Sequence, residues 1–201
     1  MANYIFQQIA NQGLKEDMTP GLPESRQWFR DAASQVRQVN VVKEIKNTER
    51  LYNKLTDLDI GRLYMFMYDA KHYPMTLEYF DRFPLTFVVD RYKDGFLGMN
   101  LHYLPHVLRA KLMDRLFQIE RLDSPRDSKK LRLTYNLLNN IAKFKYFRPC
   151  IKRYLTNQVR SRYLYVPYDD WDTALFLPTE RFRGAKKTRV WSDSREIIRN
   201  L

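Results

Sequence analysis

Cysteine is almost absent from this sequence: Cys150 is the only one among 201 residues. A lone cysteine excludes an internal disulfide and a zinc site built from several cysteines, so we expect synthesis in a reducing compartment such as a cytoplasm. No apolar run approaches the roughly 18 residues that a membrane-spanning helix needs. Residues 1–13 also lack the charged and apolar regions of a secretory signal. The sequence therefore predicts no membrane partner.

Motifs for catalysis are also missing. The chain contains no glycine-rich phosphate loop and no Gly-x-Ser-x-Gly motif, and glycine occurs only 6 times. His102 and His106 have the four-residue spacing of a helical zinc site, but a proline lies between them and the segment before it has the pattern of a strand. Cys150 lies between Arg148 and Lys152, which could lower the pKa of its thiol; it equally suits an apolar face where a small buried side chain fits. We expect no enzymatic activity, no cofactor, no bound metal and no small-molecule substrate.

One enzymatic hypothesis stays open, a metal-dependent nuclease. Asp59 and the segment Asp69-Ala70-Lys71 loosely match a pattern in which two carboxylates hold Mg²⁺ and a lysine positions water. The pattern is short, and other carboxylates fit it as well, namely Asp81, Asp90 and Asp94. Asp69 and Lys71 are more simply interpreted as residues that end a strand and begin a loop.

Positive charge is abundant but unevenly distributed. The formal net charge is +12, yet residues 1–108 contain 13 Lys and Arg against 13 Asp and Glu. Residues 109–201 contain 22 Lys and Arg against 10 Asp and Glu, which accounts for the whole excess. Such asymmetry predicts a polyanionic partner or the acidic surface of another protein. The alternative is an ordinary solvated helical face.

Residues 1–40 have the pattern of a helical N-terminal arm. Ile5 and Ile9 predict a short helix that ends at Gly13, and a Pro-Gly-Leu-Pro breaker follows it. An apolar stripe at helical spacing then runs to residue 39. The stripe has no local partner, so it must pack on the body of the protein or on another subunit, and we favour the second. Its members are Trp28, Ala32, Val36 and Val39.

The middle of the chain changes to strand periodicity. Segment 62–69 is a continuous apolar run, which predicts a strand buried on both faces. Segments 84–92 and 96–103 are apolar, β-branched or aromatic, and Lys93-Asp94-Gly95 between them is a strong hairpin signal. We expect a twisted three-stranded antiparallel core over residues 62–103. Two later segments, 162–166 and 188–191, resemble strands that return to this core and complete a small barrel of the SH3 or OB type.

Helical periodicity returns after Pro105. Segments 108–117, 131–142 and 151–159 each predict a helix, and a last helix is expected to begin near Ser192. The fold class is therefore α+β, a small antiparallel sheet or barrel packed with helices. Residues 41–201 form one domain that carries the basic C-terminal half, preceded by the arm.

Basic and aromatic residues alternate in several C-terminal segments. Lysine and arginine contact phosphates through charge, and tyrosine and phenylalanine stack on bases or pack against a protein partner. We predict that these segments, together with the arm, bind a partner or nucleic acid. The residues concerned are Trp28, Phe29, Lys143, Lys145, Arg148, Lys152, Arg153, Arg160, Arg162, Arg181, Arg183, Lys186, Lys187 and Arg189.

Several segments also resemble a known family, the late virion-associated structural proteins of T-even-like contractile-tailed phages. The resemblance covers most of residues 25–191 and carries no catalytic motif. It implies a structural or assembly protein, synthesised in the host cytoplasm and carried in the virion, with other virion proteins as neighbours. The segments that carry it are 61–71, 79–85, 95–105, 145–150 and 171–178.

Two functional hypotheses lead. The first is a non-enzymatic component of the tail, baseplate or neck, which holds neighbouring subunits through the arm and the basic surface. The alternative is a DNA-binding protein that contacts or protects the end of the packaged genome. The metal-dependent nuclease ranks third.

Overall fold

The computed structural model describes residues 5–46, 51–120 and 145–200, and the side chains of most of them. The α-helices are α1 Ile5–Lys15, α2 Arg26–Ser34, α3 Val41–Lys46, α4 His106–Glu120, α5 Trp171–Phe176 and α6 Lys187–Arg199. The strands are β1 Leu51–Tyr52, β2 Leu63–Met65, β3 Phe80–Asp81, β4 Leu85–Tyr92, β5 Gly95–Asn100, β6 Ile151–Leu155, β7 Tyr163–Val166 and β8 Phe182–Arg183. No helix in the described part of the chain combines the length and apolarity that a bilayer crossing needs.

An antiparallel sheet of six strands, in the order β1-β7-β2-β4-β5-β6, organises the protein. The β4–β5 hairpin turns at Lys93 and Asp94, with Tyr92 paired to Gly95. This confirms the hairpin, the three-stranded core and the α+β class. The sheet does not close into a barrel, because β1 and β6 are separate edges among the described strands. A two-stranded ribbon of β3 and β8 stands beside it.

Two predictions for the C-terminal half are wrong. Segment 188–191 is not a strand: it lies in α6, which begins at Lys187 rather than near Ser192 and buries Val190 and Ser194 on one helical face. Segment 151–159 is not a helix, because β6 occupies its first half and pairs with β5. Residues four apart share a face in a strand as well as in a helix, so the spacing that predicted the helix fitted both. The helix predicted over 131–142 lies outside the described residues.

Both faces of the sheet are buried, as the continuous apolar run of β2 predicted. Leu63 and Met65 belong to the larger core, which also contains the apolar residues of α2 and α5. Tyr64, between them, belongs to a second, aromatic core on the opposite face with Phe66 and Tyr154. Alternation along the strand sends neighbouring side chains to opposite faces, so each core is continuous across several strands.

Helices α1 and α2 pack on the chain's own body. Phe29 and Ala33 of α2 lie in the main core, and Arg30 Nε donates to Asp172 Oδ1 of α5 over 2.7 Å. Of the two docking places considered for the arm, α2 therefore occupies the first, not the favoured second subunit. Gly13 does not end α1, which runs on to Lys15; a Cβ at Gly13 would lie 2.7 Å from the Phe29 ring, so glycine allows the two helices to approach closely.

A buried ion pair joins α4 to the segment before β8. The Arg109 guanidinium, 0% exposed, donates to Glu180 Oε1 over 2.6 Å and to the carbonyl oxygens of Leu104 and Leu175. Burial alone would raise the pKa of Glu180, but the neighbouring His106 and the charge of Arg109 outweigh it and hold this pKa well below its usual range. The pair is fully desolvated, so removal of one partner leaves an uncompensated charge.

We expect Glu180→Ala to lower the free energy of unfolding by about 3–5 kcal/mol at neutral pH, measured by urea denaturation. The stabilisation from a carboxylate with a depressed folded pKa is complete above its unfolded pKa of about 4.3 and fades as the pH falls below that value. The difference from wild type should therefore shrink in acid. Glu196→Ala on the exposed side of α6 is the control and should change stability little. A loss below about 1 kcal/mol for Glu180→Ala would show that the pair does not stabilise the fold.

Candidate nucleic-acid interface

Cations of the C-terminal half lie on several elements that pack around the sheet and the ribbon. Strand β6 pairs with β5, β8 pairs with β3, and α6 packs on the 3-10 helices Leu101–Tyr103 and Lys145–Cys150. We call their cationic side chains the basic surface. It comprises Arg148 on the second 3-10 helix, Lys152 and Arg153 on β6, Arg183 on β8, and Lys186, Lys187 and Arg189 at the start of α6.

Most of these cations lie over aromatic rings. Lys152 Nζ is 4.1 Å from the centre of the Tyr103 ring, and the Arg183 guanidinium is 4.9 Å from that of Tyr73. Cation–π attraction holds such side chains in place without neutralising them. Further pairs of the same kind are Arg153 with Tyr92, Lys187 with Trp191 and Arg189 with Tyr79.

Several aromatic residues that alternate with basic residues thus pack in the interior of the protein rather than stack on bases. Tyr154 and Tyr163 are 3% and 2% exposed, so their rings belong to the protein interior. On the exposed part of the basic surface, charge rather than ring faces is therefore what a partner meets. The rings of Tyr73, Tyr79 and Tyr103 were missed by sequence reasoning, because they come from a distant part of the chain and no local pattern marks them.

Carboxylates compensate the basic surface only in part. Arg183 lies 3.7 Å from Asp69, and Arg189 lies 2.6 Å from Glu78. Both pairs are solvent-exposed, and exposed pairs contribute little and yield readily to another anion. Arg153 pairs with Asp94 at the hairpin turn. Within the described ranges, Lys152, Lys186 and Lys187 make no salt bridge.

The start of α6 concentrates positive charge. Lys186 is the N-cap residue, its side chain makes no capping hydrogen bond, and the first turn contains no acidic residue. Lys187 and Arg189 follow at once, beside the positive end of the helix dipole. Cations at a helix N-terminus are unfavourable in isolation and become favourable when an anion such as phosphate binds there.

Beneath the basic surface lies a buried polar chain of Asp81, His102 and Thr179. Asp81 Oδ2 lies 2.6 Å from His102 Nδ1, and His102 Nε2 lies 3.1 Å from Thr179 Oγ1. A carboxylate, an imidazole and a hydroxyl in this order resemble a hydrolase triad. The three residues are only 2%, 0% and 2% exposed, and Thr179 donates its own proton to the Leu177 carbonyl. A nucleophile must be accessible to its substrate, so these three buried residues have a structural role.

The residues of the nuclease hypothesis serve other purposes. Asp59 lies 3.7 Å from Arg62, and Asp69 lies 3.7 Å from Arg183, so each carboxylate faces a cation. In the described ranges no group of three or more histidine, cysteine or acidic residues is placed to hold a metal ion. Lys71 lies in an exposed loop beside a cavity.

Cys150 lies in the interior, fully buried. Burial raises the pKa of its thiol to about 12 and outweighs the nearby charges of Lys152 and Arg109. Of the two interpretations of this cysteine, the small buried side chain agrees with the structure, and the lowered pKa does not.

The other predicted binding residues divide into three groups. Phe29, at 2% exposure, is packed in the core and is not available to a partner, whereas the half-buried Trp28 donates its indole N–H to Glu16. Arg181 is used to bind the backbone carbonyls of Pro178, Glu180 and Val39. The last group is spread along the chain. Arg160 and Arg162 are exposed in the segment before β7, Lys145 begins a 3-10 helix, and Lys143 lies outside the described residues.

A family profile, described as phage T4 terminal DNA protecting protein, matches residues 3–198. The chain belongs to this family. No curated protein and no solved structure matches the chain. The match bears out the resemblance to T-even-like phage proteins, and it sets the start of the similarity earlier than residue 25.

The leading functional hypothesis, a component of the tail, baseplate or neck, is wrong. The family is named for the protection of terminal DNA, which agrees with the alternative, a DNA-binding protein at the genome end. The segments that carry the resemblance correctly indicated a T4-like phage protein, but their similarity did not indicate its role.

Salt dependence tests whether the basic surface contacts DNA phosphates. The affinity for duplex DNA should fall with salt with a slope of about −0.9 per phosphate contact in a log–log plot. We expect Lys186→Gln with Lys187→Gln to weaken binding and to reduce the magnitude of the slope by about 2. Fluorescence anisotropy over a salt series measures both quantities.

The matched control is Lys15→Gln with Lys43→Gln, which removes the same charge from exposed positions in the N-terminal half. It should leave the slope nearly unchanged. Equal effects of the two double variants would mean that net charge, and not the basic surface, determines binding.

Proposed function

We propose that this protein binds the ends of duplex DNA through its basic surface and shields them from exonucleases, with no catalytic step of its own. The observation that carries the proposal is the match to the terminal DNA protecting family over residues 3–198. Protection requires only that the protein occupy the end, so a binding surface is sufficient for the function.

The structure supports this function in two ways. The basic surface offers several cations to phosphates, and Lys152, Lys186 and Lys187 make no salt bridge within the described ranges. Its exposed pairs, Arg183–Asp69 and Arg189–Glu78, can exchange their carboxylates for phosphates at small cost. DNA backbone contacts of this kind depend on charge and not on sequence, which suits a protein that must bind an end of any sequence.

The context in which it acts is that of a bacteriophage protein, in the virion or in the infected cell. A protein that covers the ends of phage DNA would be needed wherever linear DNA meets nucleases. Contacts with other virion proteins belong to this proposal as well, because the acidic face of a neighbour could bind the same cations.

Exonuclease protection is the direct test. A blunt linear duplex mixed with the protein should resist both a 5′→3′ and a 3′→5′ exonuclease, whereas the same enzymes should digest a nicked circle at the rate seen without protein. Lys186→Gln with Lys187→Gln should lose most of the protection, and Lys15→Gln with Lys43→Gln should retain it. DNA incubated with the protein and Mg²⁺ alone should stay intact.

Two results would contradict the proposal. Digestion of the linear duplex at an unchanged rate would show that the ends are not covered. Equal protection of the nicked circle would show that the protein coats DNA without regard to ends.

A further inference from the structure

A cavity of about 470 Å³ opens between β6 and the loop that precedes β3. Its volume falls within the roughly 300–1,000 Å³ range of small-ligand sites. Aromatic side chains form much of its wall, among them Tyr68, Phe80, Tyr103 and Tyr154. Such a lining accepts a flat apolar group such as a nucleobase.

The polar groups of this cavity are mainly cationic. Lys152 and Arg153 enter from β6 and Lys71 from the loop, which also contributes the imidazole of His72. The half-buried Lys152 ammonium lies over the Tyr103 ring and has no carboxylate partner within the described ranges. Burial lowers the pKa of Lys152, so an anion that reached it would relieve an unfavourable environment for its charge.

Among the described residues, Asp81 is the one carboxylate of the cavity wall, and its acceptor capacity is used. Oδ2 accepts from Asn100 Nδ2 and His102 Nδ1, and Oδ1 accepts from the backbone N–H groups of Phe83 and Arg181. The carboxylate is therefore engaged by the protein itself, which leaves the Lys152 ammonium to a ligand.

We infer that this cavity receives the terminal nucleotide of one DNA strand, with its 5′-phosphate at Lys152. The inference rests on the proposed function, because it names the part of the DNA end that the protein recognises. A terminal phosphate monoester carries up to two negative charges and three free oxygens near neutral pH, as phosphorylated side chains do, whereas a phosphodiester within the strand carries one charge. A cationic cavity of nucleotide size therefore distinguishes an end from the interior of a duplex.

Comparison of two otherwise identical blunt duplexes, one with 5′-phosphates and one with 5′-hydroxyls, tests the inference. Wild type should bind the phosphorylated duplex about tenfold more tightly, as expected of one additional charge-assisted contact. Lys152→Gln should bind both duplexes equally. Lys187→Gln should weaken binding to both and keep their ratio, because it contacts the backbone and not the terminal phosphate. Fluorescence anisotropy in EDTA measures these affinities.

A second variant tests the cavity without removing charge. Thr76, an exposed residue of the cavity wall, can be replaced by tryptophan to fill the opening. Thr76→Trp should also abolish the preference for the phosphorylated duplex. Thermal unfolding close to that of wild type would show that both variants are folded.

A 5′-phosphorylated trinucleotide separates this inference from the proposed function. Isothermal calorimetry should show that it binds wild type but not Lys152→Gln, and that a 3′-phosphorylated trinucleotide binds far more weakly. Wild type that protects duplex ends yet binds 5′-phosphate and 5′-hydroxyl duplexes equally would overturn the inference and leave the proposed function intact. If wild type binds the trinucleotide through Lys152 but fails to protect ends, the proposed function is contradicted and the phosphate site remains. Equal binding of the 5′- and 3′-phosphorylated trinucleotides, or binding of neither, would overturn the inference.

Discussion

The carboxylate of Asp81 fixes the place where the sheet, the ribbon and the C-terminal elements meet. It is 2% exposed and accepts hydrogen bonds from Asn100 at the end of β5, from His102 in the following turn and from the backbone of Arg181 before β8. Burial alone would raise the pKa of Asp81, but His102 and the other donors outweigh it and lower this pKa. The ionised group therefore joins β3 to the end of β5 and to the segment before β8, and so holds the ribbon of β3 and β8 against the main sheet.

The basic surface and the cavity depend on this junction. Tyr103, which supports the Lys152 ammonium, follows directly after His102, and its ring contacts Phe182 of β8 at 5.2 Å between centres. Arg183 continues the same strand. The cationic side chains are thus placed by a buried polar network and by packed rings, so the surface does not depend on flexible side chains alone to meet an anion.

Local signals in the sequence predicted the central part of the fold. The Asp94-Gly95 hairpin and the apolar run of β2 have few alternatives, and both are present in the structure. Strand β6 and helix α6 were assigned the wrong structure, since a spacing of four residues fits both periods and short apolar segments do not identify one. The contacts between cations and rings could not be predicted from the sequence. Lys152 and Tyr103 are far apart in the chain, and only the pairing of β6 with β5 brings them together.

The candidate site was likewise predicted only in part from the sequence. The charge excess of residues 109–201 predicted a polyanionic partner or the acidic surface of another protein, and charge alone does not distinguish the two. The residues that sequence reasoning selected include members of the basic surface, such as Lys186 and Lys187, along with Phe29 and Arg181, which the fold uses for its own packing and hydrogen bonds. Exposure and hydrogen bonding, which decide between these uses, are properties of the folded chain.

Cross-linking from a DNA end tests the central claim most directly. A duplex with a photoreactive group on its terminal nucleotide is irradiated with the protein, and the modified peptides are identified by mass spectrometry. A duplex with the same group at an internal position serves as the control. The account predicts that the terminal probe cross-links to peptides of β6, β8 and the start of α6, and that the internal probe does so far less. Cross-links spread over the N-terminal half, or the same pattern from both probes, would contradict it.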